Sequence, residues 1–218
     1  MRHEALLRPS LTRRGAATLR SWVGEGLVPD RQAFLADVRR HYWRAAARTA
    51  WPPRLALQLH LVFSALPGAA VYGALRDRGW DQEPAVEAVA KVIESRARRD
   101  RARLERLARV RPLRAAFLPA AQLITEVGFP FPGWETRWRQ LSSGVVAFDM
   151  TRCYLLDTFT RLGVPEITRA YCAADDVLYS DLCPQLRWLR KGTLATGAPV
   201  CDFRFERVED RVAERAAR

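Results

Sequence analysis

The chain has 218 residues, 49% of them hydrophobic, and 36 Lys and Arg against 24 Asp and Glu, a formal charge of +12. That apolar share excludes a disordered chain and is enough for a buried core. The charge raises polyanion binding as an option, and its distribution disfavours it: only Lys91 and Lys191 are lysines, Asn is absent, and Ala is abundant, as in a GC-rich genome.

In chain order, helices are predicted at 12–24, 30–49, 54–66 and 68–78, separated by Pro and Gly, with Gly79 placed to end the last. No apolar stretch follows Arg2 as a signal peptide requires, and the longest apolar run, 55–75, is interrupted by Gln58, His60 and Pro67-Gly68. A cytoplasmic protein with no membrane segment is expected. A long helix follows over 83–110, with Pro84 admissible in its first turn and Pro112 near its end. Its run RARRDRARLERLARVRPLR sets Leu104 and Leu107 at helical spacing with charge elsewhere, the pattern of a solvated amphipathic face. EVGFPFPGWETRWRQLSSG, from Glu126, holds two prolines, three glycines and two tryptophans and reads as a loop and short helix. It joins a helical region, 1–128, to a different one, 129–218, within one compact domain.

Beyond it the period changes. VVAFDM has the β-branched and aromatic content of a strand, and YLLDTFTRLG puts Leu155, Leu156, Phe159 and Leu162 on one helical face before Gly163. Pro165 starts another helix, with Ile167, Ala170, Ala174, Val177 and Leu178 as its inward stripe. LRWLRKGTLA and CDFRFERV are strand-like and joined by the turn TGAP, giving the order β-α-α-β-β; EDRVAERAAR is expected to be a helical or frayed tail. The fold class is α+β.

This last third concentrates reactive side chains. Strand alternation puts Cys201, Phe203 and Phe205 on one face and Asp202, Arg204 and Glu206 on the other, which suits a packed sheet edge with an Asp202–Arg204 ion pair as well as it suits a site. On the preceding helix Cys172, Asp175, Asp176 and Tyr179 recur at i, i+3, i+4 and i+7. Carboxylates beside a thiol raise its pKa unless a cation intervenes, and Arg152, Arg169 and Arg204 are the candidates for that cation. Cys153 lies where strand becomes helix, a position that lowers thiol pKa. No histidine follows His60, so a Cys–His pair would need His41 or His60, and His60 sits among Leu57, Leu59, Leu61 and Val62 as a core histidine does. The four cysteines form no CxxC pair and no zinc spacing, and reduced thiols are expected.

FDMTRCYLLDTFTRLGVPEITRAYCAADD, followed by GTLATGAPVCDFRF, resembles the C-terminal signature of the L-2-amino-thiazoline-4-carboxylic acid hydrolase family: an Arg-Cys at a strand end, a Cys-x-x-Asp in the next helix, and a strand with Cys-Asp-Phe. Arg152, Cys153, Cys172, Asp175, Cys201, Asp202 and Arg204 fall on its motif positions; Cys183 does not. The resemblance implies hydrolysis of the C=N of a cyclic amidine, through an N-carbamoyl product, with Cys153, Cys172, Asp175, Cys201 and Asp202 as catalytic residues. Arg152, Arg204, Asp176 and Tyr179 are then the substrate-binding set. In one version a thiolate, Cys153 or Cys172, adds to the amidine carbon while Asp175 or Asp202 relays protons and Arg152 or Arg204 holds the substrate carboxylate. In another a carboxylate activates water and the thiols shape the pocket. No cofactor is implied, a divalent metal and a homo-oligomer are left open, and the partner is a small-molecule substrate. The same pattern is similar to ligand-binding domains of the vinyl-reductase and Golgi-transport type, which implies helices against a twisted antiparallel sheet. A paralogue acting on another heterocycle, a non-catalytic ligand binder on the same fold, and a basic nucleic-acid-binding protein remain as alternatives.

Overall fold

The computed structural model describes residues 2–24, 27–180, 182 and 185–208. The chain divides into two compact units: one takes in the chain up to Ser95 with Tyr154–Tyr171, the other Arg96–Cys153 with the chain from Cys172 onward. The architecture is α+β as expected.

In the first unit α1 (Arg2–Ala17) starts well before residue 12 and carries Pro9 within it. The Asp30 carboxylate accepts the Ala33 N–H at 3.0 Å and so caps α2 (Arg31–Arg48), where Phe34, Val38, Tyr42 and Ala46 recur every fourth residue and are buried. Pro67-Gly68 does not separate two helices as the sequence suggests. Instead α3 (Leu55–His60), a π turn (Leu61–Ala65) and α4 (Leu66–Asp77) run on without a break. A proline ring excludes the ordinary bond to the carbonyl four residues back, and the wider turn just before Pro67 makes room for it. This run is long and apolar enough to cross a membrane, yet 67% of its apolar window is buried inside the fold.

Gly68 permits a close approach. The Tyr171 hydroxyl donates to the Ser64 carbonyl at 2.8 Å, and a Cβ at position 68 would lie 2.1 Å from that hydroxyl. Gly68→Ala is therefore expected to destabilise the protein by about 1–3 kcal/mol. Adding Tyr171→Phe, which removes the clashing oxygen, should return part of that loss in a urea-denaturation double-mutant cycle; a purely additive result would show that the two positions do not meet.

Helix α4 ends as expected at Gly79, whose φ of 83° only glycine adopts freely; Trp80 N–H reaches Leu75 O at 3.1 Å and Gly79 N–H reaches Arg76 O at 3.0 Å. The long helix α5 (Gln82–Ala108) is as predicted. The segment 126–144 is a correction. Helix α6 (Arg111–Gly128), with Pro119 inside it, reaches into this stretch, and a turn at Pro130–Trp134 leads into strand β1 (Glu135–Leu141) in place of a loop and short helix. Strand β2 (Val145–Arg152) extends the predicted VVAFDM strand. Helix α7 (Tyr154–Leu162) buries Tyr154, Thr158 and Phe159, whereas Leu155, Leu156 and Leu162 are half-buried. Pro165–Ile167 forms a 3-10 turn before α8 (Thr168–Tyr179), and Ile167 and Ala170 of the predicted stripe are buried. Strand β3 (Leu186–Leu189) is shorter than the run that suggested it, since Leu194–Thr196 is a 3-10 turn, and β4 (Cys201–Arg207) follows. Cys183 and the tail from residue 209 lie outside the described residues.

The four strands pair antiparallel in the order β1-β2-β4-β3. Register puts Met150 opposite Cys201, Phe148 opposite Phe203, Val146 opposite Phe205, and Trp188 opposite Phe205, so one face is apolar and aromatic. Phe148 and Phe203 stack with centroids 4.9 Å apart and planes 7° from parallel. The other face sets Asp149 against Asp202. Each has its own partners: Arg139 Nε lies 2.6 Å from Asp149, and Asp202 accepts backbone N–H groups from the loop after β3.

Candidate active site

The part of α8 from Cys172 onward lies over the aromatic face of the sheet. Tyr179 fixes it there, its ring 5.1 Å from Trp188 and 5.2 Å from Phe205, and burial raises its phenol pKa. At the other end of the same face Cys201 begins β4, as the alternation requires, with Phe203 and Phe205. Its sulfur accepts the Leu194 N–H at 3.2 Å, and the Thr193 side chain is close enough to the Cys172 sulfur to lower that thiol's pKa. Cys153, half-buried between β2 and α7, is near enough that its charge would disfavour charge on both other sulfurs. Three motif thiols thus share one neighbourhood.

Two of them, Cys172 and Cys201, are not thiolates there. Burial, then the neighbouring Cys201, pushes Cys172 up to about 12, against a lowering by Thr193; burial pushes Cys201 up to about 11, against a lowering by the Leu194 N–H. At neutral pH fewer than about one in a thousand of either is ionised.

The carboxyl one helical turn after Cys172 behaves differently. Burial lifts Asp175 to about 7, offset in part by Arg190 and aided by the charge of Asp176. Arg190, only 6% exposed, gathers this end of the site. Its Nη1 donates to Asp175 at 3.0 Å, and its Nη2 donates to Asp176 at 2.5 Å and to the Cys172 carbonyl at 2.7 Å. Its guanidinium lies 5.6 Å from the Trp188 ring centroid and 5.7 Å from that of Phe203. The Trp188 indole N–H donates to the second Asp176 oxygen at 2.9 Å.

Cys153, Cys172 and Cys201 therefore gather at one end of this face, Asp175 and Asp176 follow one turn along α8, and Tyr179 stands at the far end. Asp202 does not face the thiols: its carboxylate accepts the N–H groups of Lys191, at 3.0 and 3.1 Å, and Gly192, at 2.8 Å, and so holds the loop that carries Thr193. Arg204 sits on that same outer face with Glu206 at 2.5 Å, in place of the expected pair with Asp202. Arg152 lies 3.6 Å from Glu135, and Arg169 pairs with Glu83 in the first unit. The cation of the site is Arg190, which sequence reasoning missed. Its signal was present: Leu186, Trp188 and Arg190 alternate, so Arg190 continues the face on which Trp188 packs. Among the described residues no three His, Cys, Asp or Glu side chains are arranged to hold a metal ion.

A carboxyl that titrates near neutrality beside protonated thiols can take a proton from water and return it to a leaving atom. Residues 60–205, more than half of the chain, match the family model described as L-2-amino-thiazoline-4-carboxylic acid hydrolase. The match begins at His60, so it takes in α4, α5 and α6 as well as the motif-bearing third, and leaves out α1 and α2. No curated protein and no solved structure matches the chain.

Proposed function

This chain belongs to the L-2-amino-thiazoline-4-carboxylic acid hydrolase family, and from that premise we propose that it opens the cyclic amidine of a small, amino-acid-derived heterocycle with Asp175 moving the protons. The family implies hydrolysis at a carbon–nitrogen bond of a small molecule. The observation that carries the reading is the Asp175 carboxyl, poised at about 7 one turn from Cys172. Ionised, it takes a proton from water as the oxygen adds to the amidine carbon. The same proton then goes to the ring nitrogen or to the departing atom, so that no net charge accumulates in the site. Cys172 and Cys201, held as thiols by burial, form a soft wall beside the reacting carbon.

The tetrahedral adduct has two exits that open the ring. Loss of ring sulfur gives an N-carbamoyl product with a free thiol; loss of ring nitrogen gives an S-carbamoyl product with a free amine. Incubation with 2-amino-thiazoline-4-carboxylate, followed by thiol titration and mass spectrometry, is expected to show a product one water heavier that carries a new thiol. Recovery of unchanged substrate bound to the protein would instead identify a ligand binder.

A further inference from the structure

Arg190 satisfies three acceptors at once from a buried position, and two of them are carboxylates. One cation cannot neutralise both. Asp176 is the better placed for it, at 2.5 Å against 3.0 Å for Asp175, and it is also more exposed, at 50% against 24%. Its other oxygen accepts the Trp188 indole N–H, so both oxygens of Asp176 have donors, one of them the guanidinium. The remaining titratable groups that feel Asp175 are Cys172 and Tyr179 on its own helix and Cys201 on β4. All three have raised pKa values, and they are neutral at physiological pH.

We infer that Arg190 positions the reacting carboxyl: it clamps Asp175, Asp176 and the Cys172 carbonyl together, and Asp176 competes for its charge so that Asp175 stays free to gain and lose a proton. This rests on the reading of Asp175 as the acid–base group. An Arg190 paired with Asp175 alone would hold that carboxyl ionised, because a single adjacent cation favours the charged form. The Trp188 and Phe203 rings also fix the plane of the guanidinium, and with it the direction of each N–H. A lysine offers the charge without the planar fork.

The test uses the full chain without substrate and then with it. The Asp175 carboxyl is followed by carbon NMR against pH in the native protein and in Asp176→Asn, whose half-exposed site should tolerate the change. Asp176→Asn is expected to lower the Asp175 midpoint by about one pH unit or more, as an unshared cation does, and to move the acidic limb of kcat/KM with it. Arg190→Lys is expected to lower kcat by roughly 10–100-fold with KM little changed, as loss of orientation does. An unmoved Asp175 midpoint in Asp176→Asn overturns the inference, whether or not Arg190→Lys folds. A moved midpoint without turnover of any amidine supports the clamp and overturns the hydrolase reading. Turnover with an unmoved midpoint does the reverse.

Discussion

Asp175→Asn is expected to lower kcat for amidine opening by about 10²–10⁴-fold, the range of a lost general acid–base group, with KM changed far less. Asparagine keeps the shape and can still accept from Arg190, so the variant should fold and bind while losing the proton acceptor. Cys172→Ser and Cys201→Ser, by contrast, are expected to stay within about tenfold of the native rate, since neither sulfur is ionised at working pH. Loss of activity in Cys172→Ser equal to that in Asp175→Asn would return the reaction to covalent catalysis. In the native protein kcat/KM should rise with pH through about 7, as the carboxyl becomes a base. Stability runs the other way. Asp175 titrates higher in the folded chain than its ordinary 3.8, so the native state holds a proton that the unfolded chain gives up. The resulting stabilisation is full below about pH 4 and is lost as pH rises through about 7. Melting temperatures across that window should fall in the native protein and flatten in Asp175→Asn.

Phe203→Ala should be the most damaging single change to the sheet, at about 3–5 kcal/mol in equilibrium denaturation, as for other buried aromatic truncations. Phe203 is 4% exposed and stacks on Phe148; it also meets Trp188 at 5.3 Å and Phe129 at 6.2 Å. For a chain of this size a loss of that order lowers Tm by roughly 10 °C. Phe203→Leu, which refills most of the volume, should cost less than about half as much. The alanine variant also removes one of the two rings beside the Arg190 guanidinium, so its activity should fall even at temperatures where it remains folded. An alanine variant with native activity and native denaturation would show that this ring does not organise the face.

The β-α-α-β-β order was legible because each element keeps a clean period: Cys201, Phe203 and Phe205 alternate through β4, and Gly163 and Pro165 punctuate the two helices. Strand β1 was hidden for a physical reason. Thr136 and Trp138 alternate with Arg137 and Arg139, but register shifts at Glu135/Thr136 and Trp138/Gln140 break the period, and Glu, Arg and Gln favour helix in isolation. Only pairing with β2 makes it a strand. Pro67 misled in the opposite direction, because a π turn absorbs the ring and sequence carries little sign of such turns. At the site, the thiols and Asp175 were visible from their motif spacing. Arg190 was not, because three other arginines lay on or near the motifs and only the pleat of β3, carried one residue past its end, singles out the right one.

The Cys201-Asp202 pair has a consequence that neither residue shows alone. Its two side chains leave the strand in opposite directions, yet Asp202 grips the backbone of Lys191 and Gly192, and the next two residues of that loop bring the Thr193 side chain to Cys172 and the Leu194 N–H to Cys201. The face of the sheet turned away from the thiols thereby holds the loop that gives two of them their polar neighbours. Substitution at position 202 can retune the reactivity of two sulfurs that its side chain never touches.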